Sequence, residues 1–466
     1  MQSVFVPQID EALGPAPTPD TTLHPTGTAE LPSCFAVSDL ATASIGAAAR
    51  ELAALMGARQ AQVDRRLASL WFGMTLQPEG WDLPAAMDPL AGDYPARDGW
   101  IRLHTNAPRH REAALGELGC APDPAEVAAH VAAWSGPALE QAIIDAGGAA
   151  AAMRSLADWA QHPQGRAVAA EPLIAWQVAG DRPRPAALQG LKVLDLTRVL
   201  AGPVATRCLA GFGADVLRID PPWWREPGLE PEVTLGKRRA GLDLRDPEDR
   251  SLFDTLLSRA DVLVHGYRPG ALAGLGYDAA QRRRIAPGMI EVSLCAYGWT
   301  GPWARRRGFD SLVQMSCGIA DHGQRLAGAG RPQPLPVQAL DHATGYLMAA
   351  AVLRAVRAAN ETGEVRSARL SLARVAQLLV QTARTAFSGA EVKVAPADLA
   401  PGTEATDWGP ARRLRFPIRI DGRGPDWPRP AGRLRTGGAC LVTWRPLRRS
   451  EGVPGTRWMG RMPGVP

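Results

Sequence analysis

The chain has few cysteines, no long apolar run and little excess charge of either sign, and each lack narrows what it can be. Its six cysteines (Cys34, Cys120, Cys208, Cys295, Cys317 and Cys440) are scattered and form no CxxC pair. That spacing signals neither a zinc ribbon nor a disulfide framework. Its eight histidines show no metal-ligand spacing with carboxylates or cysteines, so no metal is expected. No run of about 18 apolar residues occurs, so no membrane span is expected. The opening MQSVFVPQIDEALGPAPTPD lacks a basic segment followed by an apolar one, so it does not read as a signal peptide, and a cytoplasmic protein is expected. With 52 basic against 47 acidic residues the net charge of +5 is too mild to argue for nucleic acid, yet it would not repel a small polyanion.

What is present is a chain of 466 residues, 46% hydrophobic and 21% charged, enough for two or three domains with real cores. Residues 1 to about 35 read as an extended, Pro- and Thr-rich lead-in. From 37 to 73 the pattern turns helical, and this stretch resembles a later one. VSDLATASIGAAARELAAL (37–55) lies on ALDHATGYLMAAAVLRAVR (339–357), placing Asp39 on Asp341, and VDRRLASL (63–70) answers ARLSLARV (368–375). We read residues 1–96 as a lead-in and a helix pair repeating part of a larger domain, with Asp39 a structural remnant.

Residues 97–178 form a compact unit with one strand-like stretch (98–106) and several short helical ones, read as a smaller α+β domain. After the Pro-rich linker GDRPRPAAL (180–188) the texture changes. KVLDL (192–196), DVLRI (215–219), DVLVH (261–265) and MIEVSL (289–294) are short Val/Leu/Ile runs separated by helical patterns. That alternation predicts a parallel sheet covered by helices, a Rossmann-like large domain over 188–390. Gly211 and Gly213 make a GxG at the wrong end of a helix and say nothing of a dinucleotide. Residues 391–466 are Pro-, Gly-, Arg- and Trp-rich and read as an irregular extension.

Three basic loops follow strand ends: Arg198 after the first, Lys237 and Arg238 before the weak strand AGLDL (240–244), and Arg268 in HGYRPG (265–270). Ligands of open parallel sheets bind at the carboxyl ends of strands, so cations there suit a phosphorylated ligand. Asp341 stands at the start of an apolar helix. An N-cap or dipole role would account for it by itself, and neither excludes chemistry. His342 beside it faces another way on a helix and reads as a packing residue, and Cys317 reads as core.

The motifs LQGLKVLDLTRVLAGPVATRCLAGFGADVLRID (188–220), GKRRAGLDLRDPE (236–248), ADVLVHGYRPGALAGLGYD (260–278), SLCAYGWTGPWARRRGFDSLVQMSCGIAD (293–321) and PVQALDHATGYLMAAAVL (336–353) resemble the family III CoA-transferases, the formyl-CoA and carnitine-CoA transferase type. Residues 98–174 resemble that family's small domain, which usually follows the catalytic Asp but here comes before the large domain. The chain therefore looks like a rearranged member.

The resemblance implies that Asp341 is a nucleophile on an acyl-CoA thioester. CoA then passes to a carboxylic acid acceptor through an aspartyl anhydride and an aspartyl-CoA thioester. It implies CoA contacts at Arg198, Val199, Leu200, Ala201, Arg225, Lys237, Arg238, Gly266, Tyr267 and Arg268, with Tyr297 near the thioester. The helix N-terminus is expected to keep Asp341 ionised and to offer N–H groups to an oxyanion. A homodimer is implied as well. The related α-methylacyl-CoA racemases carry a His in a GHD motif, and here the motif reads Gly308-Phe309-Asp310, in which Phe cannot move a proton. A non-catalytic CoA-binding subunit is the other alternative.

Overall fold

The computed structural model describes residues 4–14, 22–181 and 186–437. Its centre is a seven-stranded sheet. In chain order the strands are β1 (Ala175–Asp181), β2 (Lys192–Leu196), β3 (Asp215–Asp220), β4 (Arg238–Gly241), β5 (Val262–His265), β6 (Ile290–Cys295) and β7 (Glu364–Ser371). Across the sheet they run β4-β3-β2-β5-β6-β7-β1. All neighbours pair in parallel except β1, which closes the edge antiparallel to β7. The order reverses between β2 and β5, so this is a doubly wound sheet with its switch point there.

Alternation along the strands explains the layers. Val193, Val216, Val262, Val264 and Val292 face one side, the core that also holds the helices α2 (Ala201–Gly211) and α4 (Ala339–Thr362). Leu194, Leu196, Leu217, Ile219 and Leu263 face the other, against Phe253, Leu256 and Leu257 of the helix Pro247–Arg259. Helix α4 is buried all round from Ala339 to Arg357, which is why apolar residues occupy most of every face.

In three dimensions residues 37–70 and 339–380 are each helix–strand–helix rather than a helix pair. Helix α1 (Val37–Met56) is followed by a strand, Gln60–Asp64, and a helix, Arg65–Leu70, just as α4 is followed by β7 and the helix Leu372–Val380. The strand 60–64 has a parallel neighbour, Thr22–Thr26, and an antiparallel one, Ile418–Ile420. Strand β7 has the same surroundings in β6 and β1. Alanine-rich α1 packs along alanine-rich α4.

Elsewhere the structure is more ordered than composition suggests. The lead-in holds a helix, Val6–Leu13, that buries Ile9 and Leu13. The stretch from 391 contributes Gly409–Arg413, paired with Leu76–Pro78, as well as Ile418–Ile420. These short strands carry no periodicity because their partners, not their own pattern, decide them. Residues 438–466, part of the predicted extension, lie outside the described residues. A third small sheet, Gly92–Ala96, Gly99–Leu103 and Ala150–Ala152, carries the helices of the segment after residue 97.

One ion-pair cluster fastens α1 to α4. Glu51, 3% exposed, accepts from Arg354 Nε and Nη2 at 2.9 and 2.7 Å, and Arg357 Nη1 lies 3.3 Å away. Removing Glu51 leaves buried Arg354 without a carboxylate and Arg357 with only Glu361, 3.6 Å from its Nε, at a cost of roughly 3–5 kcal/mol. Glu51→Ala is therefore expected to lower the urea midpoint by a shift of that size. Adding Arg354→Met and Arg357→Met to a Glu51→Leu background should recover most of it, since apolar replacement of a whole buried cluster is near neutral.

Candidate active site

Asp341 is the third residue of α4, and two features of that helix start govern it. The first is Asp310, which opens helix α3 (Asp310–Ser316) in the loop after β6. Its Oδ2 accepts the backbone N–H groups of Leu340 and Asp341, each at 2.9 Å, and its Oδ1 accepts Gln314 Nε2. Two donors at the positive end of α4 thus meet a carboxylate from another element, an external cap.

The second feature is burial without a partner. Asp341 is 5% exposed, and no cation or side-chain donor among the described residues reaches its carboxyl. Burial, and then the charge of Asp310 beside it, push its pKa well above the ordinary carboxylate value. Burial also raises Asp310, to about 6, against the pull of the Asp341 N–H, Gln314 and the Leu340 N–H. The two carboxyls titrate as a pair, in which the hydrogen-bonded Asp310 is the better home for the charge. This corrects the expectation that the helix N-terminus keeps Asp341 ionised: the N–H groups of Leu340 and Asp341 are already committed to Asp310.

The repeat provides an internal control. Asp39 is likewise the third residue of its helix, yet Arg65 Nη1 holds its Oδ1 at 2.7 Å and its side chain is 28% exposed. The same position is neutralised in one copy and left without a cation in the other. His342 turns away from Asp341 to stack on Phe72, ring centroids 5.2 Å apart, and burial lowers its pKa to about 3.

One turn after Asp341, α4 meets the first strand-end loop. An ideal Cβ on Gly345 would lie 2.4 Å from the Ala201 carbonyl oxygen, so the glycine is what lets α4 touch the start of α2. Just before it, Leu200 is the residue at the N-cap of α2, and Val199 is held at φ 65° with its N–H on Glu226 Oε2 at 2.9 Å. Arg198 Nη2 donates to the Tyr267 hydroxyl at 3.1 Å, and its guanidinium lies 4.8 Å from the Trp224 ring centre and 5.3 Å from that of Tyr267. Arg198 follows β2 and Tyr267 follows β5, so this contact spans the switch point. Gly266 is exposed and Arg268 half-buried beside it, while Arg225 is exposed in the loop after β3.

The other expected contacts point inward. Lys237 Nζ is fully buried on Asp195 Oδ2 and the Pro203 carbonyl, both at 3.0 Å, and burial lowers it to about 8 despite Asp195. Arg238 Nε pairs with Asp215 Oδ1 at 2.9 Å. Tyr297 is buried with its hydroxyl 3.0 Å from Ser316 Oγ, and its carbonyl takes Gln164 Nε2 at 2.7 Å. In this fold all three side chains tie elements together. Among the described residues no group of His, Cys, Asp and Glu could hold a metal ion, and no helix is long and apolar enough to cross a membrane.

Residues 188–399 match the family model described as CoA-transferase family III. This part of the chain is similar to that family. The family segment thus contains Asp310, Asp341 and the strand-end loops. The chain is 37% identical over 181 residues to the acetyl-coenzyme A transferase nodX of Hypoxylon pulicicidum, covering 38% of this chain and 30% of the relative. It is 32% identical over 194 residues to a mouse (Mus musculus) succinyl-CoA:glutarate CoA-transferase, covering 38% and 43%. To an acetyl-CoA:oxalate CoA-transferase of Acetobacter aceti it is 31% identical over 192 residues, covering 38% and 48%. The chain spans less than half the length of each of these relatives. A solved CAIB/BAIF family protein from Brucella suis aligns at 27% identity and TM-score 0.37, over 49% of this chain and 65% of that one.

Sequence reasoning passed over Asp310, although it ends the Gly308-Phe309-Asp310 triplet, because only Phe309 bore on the chemistry then weighed. Trp224 and Glu226 were missed for want of any motif.

The carboxyl pair makes a pH prediction. Removing the Asp310 charge while keeping an acceptor for the two N–H groups should ease ionisation of Asp341. In Asp310→Asn the apparent pKa of Asp341 is expected to fall by about one unit or more, the scale of a close like-charge pair. The 13C chemical shift of the labelled Asp341 carboxyl, followed from pH 4 to 9, reads this directly. An unchanged midpoint would show that burial alone sets it.

Proposed function

We propose that the protein is a CoA-transferase that moves CoA from an acyl-CoA thioester to a carboxylic acid, with Asp341 as the nucleophile. The observation that carries this reading is the unpaired, buried Asp341 carboxyl at the start of α4, one turn before Gly345, where that helix meets the Ala201 carbonyl. It is supported by the family match over 188–399 and by relatives named as CoA-transferases.

In this reading an Asp341 carboxylate oxygen attacks the thioester carbonyl, the C–S bond breaks, and a mixed anhydride and CoA thiolate result. The thiolate attacks the Asp341 carbonyl and the donor acid leaves, giving an aspartyl-CoA thioester. The acceptor carboxylate attacks that thioester, forming a second anhydride and freeing thiolate. Thiolate attack on the acceptor carbonyl then yields the new acyl-CoA and restores Asp341. Covalent catalysis divides one difficult exchange into four displacements that need no net proton. Arg198, with no carboxylate partner among the described residues, and the Gly266–Arg268 loop would face the phosphorylated end of CoA. Leu200 and Ala201 would flank the thioester.

Because the resting pair favours a protonated Asp341, the ionised nucleophile grows as pH rises through the pair's titration, and the first step should accelerate with it. A cytoplasmic homodimer belongs to the same reading. Its interface would have to leave the α1-covered face of α4 alone. Phe309 in place of a histidine weighs against racemisation.

The test is mass spectrometry after incubation with an acyl-CoA panel and hydroxylamine. A hydroxamate at Asp341 in the wild type, absent in Asp341→Ala, is expected. Asp341→Asn should lose turnover on the order of 10³-fold or more, the scale for deleting a covalent nucleophile. Tight CoA binding with no adduct from any donor would instead mark a CoA-binding subunit.

A further inference from the structure

The chain from Gly424 to Gly437 lies beyond the segment matched by the family model, yet it reaches back to the strand-end loops. It is fastened on the way. The Asp426 N–H donates to the Gly211 carbonyl at 2.8 Å, Trp427 Nε1 to the Arg207 carbonyl at 3.0 Å, and the Gly236 N–H to the Arg429 carbonyl at 2.9 Å. On β4 the Arg239 carbonyl accepts the Gly437 N–H, also at 2.9 Å.

Arg435 is the residue of this strap that grips the site. Its backbone is left-handed at φ 60°, a conformation few residues other than glycine adopt. Its stem lies against β4, where an ideal Cβ on Gly241 would come within 2.8 Å of Arg435 Cδ. From there Nη1 donates to the Trp224 carbonyl at 2.6 Å and to the Pro221 carbonyl at 3.3 Å. Both carbonyls belong to the loop after β3. Two bonds from one planar group fix a loop's orientation as well as its distance.

The same loop holds the turn that follows β2. Buried Glu226 accepts the Val199 N–H at 2.9 Å and Trp224 Nε1 at 3.0 Å on Oε2, and buried Arg218 on Oε1. The Trp224 ring centre lies 4.8 Å from the Arg198 guanidinium. Val199 needs such holding. Its φ of 65° is left-handed too, and for a β-branched side chain that backbone is costly. A residue in so sparse a region persists only where its surroundings over-determine it. Val199, Asp421 and Arg435 are the left-handed residues other than glycine among those described, and two of the three flank this one loop.

We propose that Arg435 is a positioning residue for the strand-end site. By gripping the Pro221 and Trp224 carbonyls it keeps Glu226 on the Val199 N–H and Trp224 over Arg198, so the turn before α2 is set before any ligand arrives. A site ordered in advance binds more tightly because less is left to order on binding. That the ligand is CoA rests on the function proposed above; the bracing of Val199 does not.

The experiment is hydrogen-exchange mass spectrometry of the full-length, ligand-free protein in wild type, Arg435→Met, Arg435→Lys and Thr436→Ala. Methionine keeps an apolar stem beside Gly241 and removes every donor, and lysine gives a donor back. Thr436 is exposed and meets Arg239 Nε at 3.4 Å rather than the loop, so its variant is the control. In Arg435→Met the N–H groups of residues 198–201 and of the loop after β3 should exchange about tenfold faster, the scale of losing a hydrogen bond from a charged donor. Arg435→Lys should fall between, and Thr436→Ala should match wild type. Faster exchange confined to the strap overturns the proposal, since Arg435 would then hold only its own segment. So does a rise spread evenly over the chain with a lowered melting temperature, or no change at all. Calorimetric titration with CoA is the second readout. CoA should bind more weakly to Arg435→Met by a similar factor and recover in Arg435→Lys, and equal affinity in wild type and Arg435→Met overturns the role in the site. If the wild type binds no CoA, the function proposed above fails, while the exchange at 198–201 still decides the bracing.

Discussion

The site depends on one hydrogen-bonded contact, the Asp310 carboxylate astride the Leu340 and Asp341 N–H groups. It fixes the loop after β6 to the start of α4, and so fixes where Asp341 stands relative to the strand ends. It also sets the electrostatics. A buried carboxylate that takes two N–H groups at a helix start is the better-stabilised anion of the pair, and a second carboxyl beside it, buried and without donors, is a poor one. Asp341 is thus held in reserve, ready to ionise when its surroundings change.

The repeated helix–strand–helix shows how little separates a structural acid from a reactive one. Asp39 and Asp341 occupy the same helical position, their helices lie against each other, and the flanking strands pair in the same sense. Arg65 quiets the first. In the second, Asp310 takes the place of a cation and adds to the charge instead of cancelling it. Burial does the rest. Helix α4 earns its fully buried setting because α1 covers the side that α2 and the sheet do not.

Much of this was open to reading in the sequence. Strands such as KVLDL and DVLVH announce themselves because both faces are buried, so most of their side chains are apolar. The acid at the start of an apolar helix is a local signal, as are the cations that follow strand ends, and Arg198 and Tyr267 do meet across the switch point. What could not be read depends on partners distant in sequence. Lys237 looks like a phosphate contact until Asp195, on β2 two strands across the sheet, is found beside it. Asp310 reaches a helix start 30 residues away, with no periodicity to betray it. Strand β1 lies at the very end of what reads as the small domain, because its antiparallel partner β7 is nearly two hundred residues downstream.

The three-stranded sheet made by Thr22–Thr26, Gln60–Asp64 and Ile418–Ile420 carries a kinetic consequence. Its middle strand cannot gain its second neighbour until almost all of the described chain has been made, and closing so long a loop is slow. Until then the edge at residues 60–64 stays open, and helix α1 must wait with its apolar side exposed or dock on an unfinished α4. The protein's most fragile moment is therefore during synthesis, when an unpaired strand near the start of the described chain must outlast the wait for one near its end without finding a stranger's edge.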